Sequence, residues 1–195
     1  MSITTDADAL DRADMEQLQA GHEAALNNLM ARHATPVFHF LCRLTGNEED
    51  ANDLAQETFV RVFKSCQSFR SGEKFSTWLF TIAANLARNH FRWRSRHPNT
   101  SLEAEQPGTE QSLGSTLAAH SPAPNEAVLA GERAAAVRQA VGQLPEELRE
   151  AIVLCEWEER RVAEAAAILS TTPKAIESRL YRARRLLREQ LQSWL

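Results

Sequence analysis

Phe75 to His97 reads FSTWLFTIAANLARNHFRWRSRH, and its spacing predicts one amphipathic helix. Trp78, Leu79, Ile82, Ala83 and Leu86 recur at helical intervals and make one apolar face. Thr81, Asn85, Arg88, Arg92 and Arg96 follow steps of three or four and share another face. Phe80, Ala84, Ala87 and Phe91 form a third stripe beside the polar one. The stretch holds no Asp or Glu, although the whole chain has a net charge of −4. A cationic strip beside aromatic rings, with Thr and Asn at one end, suits nucleic acid. Arginines hold phosphates, rings stack on bases, and hydroxyl or amide groups reach base edges. The alternative is a surface helix with solvated arginines and a core of Trp and Phe. The helix alone does not choose between the two.

Immediately upstream, Ser68 to Lys74 (SFRSGEK) reads as a loop turning at Ser71-Gly72. With Phe69 and Phe75 at its ends and arginines nearby, it is a candidate holder of an unstacked base. Asn47 to Ser65 is a further helix: Asn47 suits the cap, and Glu48, Glu49 and Asp50 suit the positive helix end. Its buried face is Ala51, Leu54, Ala55, Thr58 and Val62, with Asp53, Gln56, Glu57 and Val60 pointing away. Phe59 and Phe63 are either core side chains or apolar protrusions on a protein-docking surface. Ala24 to Leu44 has helical spacing, interrupted at Pro36, which is expected to kink it or start a new segment. Thr45-Gly46-Asn47 is its stop signal. A short helix from Ala13 to Ala20 ends at Gly21, and residues 1–12 are expected to form a disordered acidic tail.

Downstream, Pro98 to Asn125 turns to Ser, Thr, Pro, Gly and Glu, which predicts a flexible linker and a domain boundary. As a random coil it would span on the order of 25–30 Å. Residues 126–195 form a second helical domain. Pro145 opens one of its helices, and Val162 to Leu169 (VAEAAAIL) is a short helix. The turn Ser170-Thr171-Thr172-Pro173 leads into a last helix with Ile176, Leu180, Ala183, Leu187 and Leu191 facing inward. A short helix, a tight turn and a second helix with a basic run match a helix-turn-helix. Such second helices present their early residues to the major groove. Here those are Lys174, Glu177, Ser178, Tyr181 and Arg182, with Arg179 and Arg185 nearby and the helix N-terminus at Thr172 able to take a phosphate. The fold class is therefore all-α, in two small helical domains.

Several functions fall away. The three cysteines, Cys42, Cys66 and Cys155, are widely spaced and form no CxxC pair, so neither a disulfide framework nor a zinc site is expected, and a reducing cytoplasm fits. No secretory leader or membrane span is seen. No phosphate-binding glycine loop, HExxH or G-x-S-x-G motif is present, and the six histidines are scattered. We therefore expect no enzyme, metal, cofactor or small-molecule substrate. A duplex-binding regulator and a helical adaptor with surface arginines remain alternatives.

Taken in order, three segments resemble the extracytoplasmic-function (ECF) sigma factors of bacterial RNA polymerase. DANDLAQETFVRVFKSCQSFR looks like the helix that family sets against the polymerase clamp, FSTWLFTIAANLARNHFRWR like its −10 reading region, and LPEELREAIVL with AEAAAILSTTPKAIESRLYRARRLLREQL like its −35 domain. The resemblance implies an alternative sigma factor that binds core polymerase, through its beta and beta-prime subunits, and directs it to promoter DNA. Asp53, Gln56, Glu57 and Val60 would meet polymerase. Phe69, Phe75, Trp78, Phe80, Thr81, Asn85, Arg88 and Arg92 would take the opened −10 strand: Thr81 and Asn85 read bases, Phe69, Phe75 and Phe80 help hold an extruded one, and the arginines hold phosphates. Thr172, Lys174, Glu177, Ser178, Arg179, Tyr181, Arg182 and Arg185 would bind the −35 duplex. It also implies an anti-sigma factor that holds the protein inactive. Lys174 and Glu177 depart from the family's usual small and basic residues, which points to an atypical −35 preference.

Overall fold

The computed structural model describes residues 3–70, 72–97 and 124–194. The expected linker over 98–123 and Ser71 of the expected turn lie outside the described residues. The front half holds α1 (Ile3–Gln19), α2 (Ala25–Thr45), α3 (Glu48–Lys64) and α4 (Phe75–Arg96). The rear half holds α5 (Pro124–Gly142), α6 (Glu146–Ile152), α7 (Val162–Ile168) and α8 (Pro173–Gln190). No strand occurs among the described residues.

α1 corrects the expectation of a disordered tail over residues 1–12, because the helix runs back to Ile3. Asp11 accounts for part of this. It is 2% exposed, its Oδ1 accepts a 2.8 Å bond from Nε of Arg32, and its Oδ2 lies 2.7 Å from Nε2 of His33. Asp14 grips the same guanidinium. The partners stand on α2, so nothing in the local pattern announces them. Gly21, at φ +94°, ends α1 in a left-handed turn. Its own N–H donates to the Leu18 carbonyl, and that of His22 donates to Gln17.

α2 passes through Pro36 as one helix, so of the two expectations there, a kink or a new segment, the new segment is corrected. Buried side chains on both sides of the proline, Ala25 and Leu29 before it and Val37, Phe40, Leu41 and Leu44 after it, hold the one helix against its neighbours. Asn47 caps α3 as expected, its Oδ1 accepting from the Asp50 N–H at 2.9 Å. The two open readings of Phe59 and Phe63 divide: Phe59 is core, and Phe63 is 40% exposed.

In the rear half, α5 takes in Pro124 and Asn125, which the sequence reading assigned to the linker. α6 continues into a π-helical turn, Val153–Trp157, in which the Glu158 N–H donates to the Val153 carbonyl at 3.1 Å. α7 ends in a Schellman turn. The N–H groups of Ser170 and Thr171 bond the carbonyls of Ala167 and Ala166, with Ser170 itself at φ +51°. Thr172 then caps α8 by accepting from the Ala175 N–H, and Pro173 fills the first turn, where its missing donor costs nothing. Ile176, Leu180 and Ala183 are buried as expected, while Leu187 and Leu191 are only half-buried.

The buried apolar side chains of both halves join in one continuous cluster. α4 packs on α7, and α2 packs on α5, α6 and the π turn. Within the described residues the two halves are therefore in contact, where the sequence pattern shows only two bodies on a tether.

Candidate nucleic-acid interface

α4 is the central element of the front half. Leu79, Phe80, Ala83, Ala84, Leu86 and Ala87 are buried, and the Phe80 ring centroid lies 5.1 Å from that of Phe40 on α2. Phe69 and Phe75 pack edge-on at 6.1 Å, and Trp78 lies 5.3 Å from Phe69. At exposures of 6%, 2% and 0%, Phe69, Phe75 and Phe80 are core side chains. This corrects the expectation that these three rings hold an extruded base, since their faces are already covered by protein. Trp78 keeps partial exposure at the cluster's edge.

The polar face of α4 remains reachable in parts. Asn85 and Arg92 are exposed, and Thr81 is half-buried with its hydroxyl donating to the Thr77 carbonyl at 2.8 Å. Arg88 is not a free phosphate ligand. Its Nε donates to Oε1 of Glu150 at 2.6 Å and its Nη2 to Oε2 at 3.2 Å. Glu150, on α6, is 3% exposed, and burial pushes its carboxyl above the usual carboxylate range while the Arg88 bonds oppose that push. At the far end of α4, Trp93 is 51% exposed and stacks on His97 at 4.9 Å. Arg94 there bonds Asp50 of α3 at 3.0 Å.

α8 presents a different surface. Thr172, Lys174, Glu177, Ser178, Arg182 and Arg185 are exposed, and Tyr181 reaches 70%. Lys174, Ser178, Tyr181, Arg182 and Arg185 advance by steps of four, three, one and three, so they line one strip opposite Ile176, Leu180 and Ala183. Arg179 sits beside the strip, half-buried, 3.2 Å from Glu147. On α3, Asp53, Gln56 and Val60 are exposed, and Glu57 pairs with Arg61 at 2.9 Å. The exposed Phe63 extends this patch.

Residues 29–97 match the family model for sigma-70 region 2, and residues 134–187 match that for sigma-70 region 4. The chain is 33% identical, over 91% of its length and 94% of the other's, to the ECF RNA polymerase sigma factor SigW of Bacillus subtilis. The chain belongs to the ECF sigma factors. This sigma factor is also 31% identical, over 95% of each chain, to the RNA polymerase sigma-H factor of Pseudomonas aeruginosa. Among solved structures it is similar to CnrH in complex with the cytosolic domain of CnrY, at a TM-score of 0.69 and 27% identity, covering 94% of this chain and 98% of that one.

Within the sigma factor, the structure brings the polar face of α4 and its cationic end together on one helix, and it gathers the expected α8 residues at that helix's start. It does not bring these two sets into one site. Sequence reasoning missed Glu150, Arg160 and Glu164. Arg160 lies 4.5 Å over the Phe80 ring and donates to Oγ of Ser76 at 3.1 Å, and Glu164 accepts from Lys74 at 3.1 Å. The third stripe of α4 was the available signal. A row of Phe, Ala, Ala and Phe next to arginines needs a cover, and its two rings are covered by Arg149 of α6 and by Arg160 in the segment before α7.

Proposed function

We propose that α4 takes the separated −10 strand and that α8 enters the −35 duplex, while α3 joins the core polymerase. The observation that carries this is the exposed strip Lys174, Ser178, Tyr181, Arg182 and Arg185 behind a Thr172 cap. It holds donors, one aromatic ring and no apolar face of its own, as a major-groove helix requires. Thr172 and the first N–H groups of α8 are positioned for a backbone phosphate. Glu177 would accept from a cytosine amino group.

On α4, Asn85 and Thr81 would read bases, and Arg92, with Arg88 once it is released, would hold phosphates. Binding should then fall steeply with salt. Trp78 supplies the ring nearest the surface. On α3, Asp53, Gln56, Glu57 and Val60 form the polymerase contact, to which Phe63 adds apolar area. The protein makes no covalent change and works in the cytoplasm, where polymerase and promoters meet. The similarity to CnrH in its complex with CnrY supports an anti-sigma factor as a further partner.

Run-off transcription by core polymerase on a genomic promoter library tests the reading. Defined start sites that appear only with the added chain support it, and their absence rejects it.

A further inference from the structure

Leu79, Leu86 and Trp93 follow one another at seven-residue steps along α4, so they share one face of the helix. Their burial does not continue with the spacing: Leu79 is 0% exposed and Leu86 6%, but Trp93 is 51% exposed. The bundle ends at this level. Asp50, in the first turn of α3, accepts from Nη1 of Arg94 at 3.0 Å, and the same Oδ2 lies 3.4 Å from Nε2 of His90. α4 is thus anchored to α3 at the point where its last large ring emerges into solvent. His97 completes the arrangement. Its ring stacks on that of Trp93 at a centroid distance of 4.9 Å and an interplanar angle of 24°. Its Nδ1 lies 3.0 Å from the Trp93 carbonyl oxygen, to which its backbone N–H also donates. One face of the indole is therefore backed by the imidazole, and the two rings are held as a unit on the last turn of the helix.

Two observations choose the ligand for this ring pair. The first is charge. Arg92 and Arg96 are exposed beside it, and α4 carries no carboxylate of its own. A flat ring among arginines suits a strand that offers phosphates and base faces together. An apolar protein surface would cover those guanidinium groups without pairing them, which is costly. The second is position. Trp93 follows Asn85 by eight residues, about 12 Å along the helix axis, which is about three to four bases at the spacing of a stacked strand. From His97 the chain runs on to the half that carries α8, the helix assigned to the −35 duplex. Paired DNA therefore lies beyond this end of α4, and opened bases lie toward Thr81.

We infer that Trp93, backed by His97, stacks on the base at the upstream edge of the opened promoter, where paired DNA gives way to the single strand. A base at that edge loses a stacking neighbour when the next one is drawn toward Thr81 and Asn85. The indole supplies the missing face, so base–indole stacking replaces base–base stacking and no covalent bond changes. Arg92 and Arg96 hold the phosphates beside it. The inference rests on the assignment of α4 to the −10 strand, and its test keeps the two apart.

The full-length chain bound to core polymerase is compared with its Trp93→Ala and Trp93→Phe variants on DNA cut from a promoter identified by run-off transcription. The probes are the closed duplex, a fork whose −10 non-template strand is unpaired, and that fork with 2-aminopurine at successive positions around the junction. Wild type is expected to quench 2-aminopurine at one junction position. Trp93→Ala should abolish the quenching and bind the fork roughly five- to 150-fold more weakly, the worth of one base stacked on an aromatic side chain. Trp93→Phe, which keeps a ring, should restore most of both, with closed-duplex binding and core affinity the same in all three. Unchanged quenching and fork affinity in Trp93→Ala overturn the inference. So does a loss of core affinity, which assigns the ring to polymerase, and so does a Phe variant as weak as the Ala variant with an equally lowered melting temperature, which assigns it to folding. Asn85→Ala in parallel isolates the underlying reading. If it too binds the fork as wild type does, the assignment of α4 fails with the inference; if it alone is weakened, only the role of Trp93 fails.

Discussion

Oδ1 of Asn85 accepts a 3.3 Å hydrogen bond from Nη1 of Arg88, the same guanidinium that Glu150 clasps. The expected base reader and the expected phosphate holder are thus one bonded unit, and what moves Arg88 also reorients the Asn85 amide. Asn85→Ala is expected to cost roughly 1–3 kcal/mol in capture of the −10 strand, while affinity for core polymerase stays unchanged. Permanganate footprinting of promoter melting, beside gel filtration with core, checks both halves. Equal melting by wild type and variant would remove Asn85 from base reading.

Arg182→Ala should lose roughly 1–3 kcal/mol at the cognate −35 duplex if the side chain touches a base edge. Lys174→Ala should weaken binding to all sequences alike and lower the salt slope by about one, as loss of a phosphate contact does. Fluorescence anisotropy on cognate and scrambled duplexes, each at several salt concentrations, distinguishes the two roles.

On α3, Val60→Asp places a charge within the exposed apolar pair of Val60 and Phe63. We expect a loss of roughly 1–2 kcal/mol in core polymerase affinity, with the melting temperature nearly unchanged because Val60 is 40% exposed. Retained affinity would move the polymerase contact elsewhere.

The Asp11 cluster predicts an acid limit. Burial pushes the Asp11 carboxyl upward, but its bonds to His33 and Arg32 outweigh this and hold it below the ordinary aspartate value of 3.8. A carboxyl with a depressed folded value binds fewer protons folded than unfolded. Its stabilisation is therefore complete above the ordinary value and is lost as pH falls through the folded one. Denaturant melts should show stability dropping below about pH 4. Asp11→Asn should cost roughly 2 kcal/mol at neutral pH and flatten that drop. An unchanged acid profile in the variant would assign the loss to other carboxylates.

Ser170 occupies left-handed backbone at φ +51° in the turn between α7 and α8. Ser170→Gly should raise stability by roughly 0.5–1 kcal/mol, since glycine adopts that conformation without steric cost but loses more entropy on folding. The thermal midpoint of the full chain measures it, and a lower midpoint would mean that the serine side chain contributes more than the strain removes.

The legible parts of the molecule are those governed by nearby residues. The Asn47 and Thr172 caps, the Gly46 stop and the apolar face of α4 all follow from spacings of a few positions, and each stands where those spacings put it. The surface strip of α8 was legible for the same reason. Asp11 was not, because the cations that bury it lie on another helix and residues 1–12 carry few apolar side chains. Phe80 was misassigned because periodicity shows that a ring lies on a stripe but not that Arg160, 80 positions later, lies across it. The same distance in sequence hid Glu150: a single acid on a helix that already carries Glu146 and Glu147 has no local mark to set it apart.

The π turn at Val153–Trp157 carries one residue more than an α-helical turn would need. If the same residues wound there as regular α-helix, everything that follows would be swung by about 100° around the helix axis, turning Trp157 and Glu158 away from Arg43 while leaving Leu148 and Glu150 in place. The width of this one turn thus aims half of the seam between the bundles, and a change in its winding is a route by which related chains could diverge in how their halves meet.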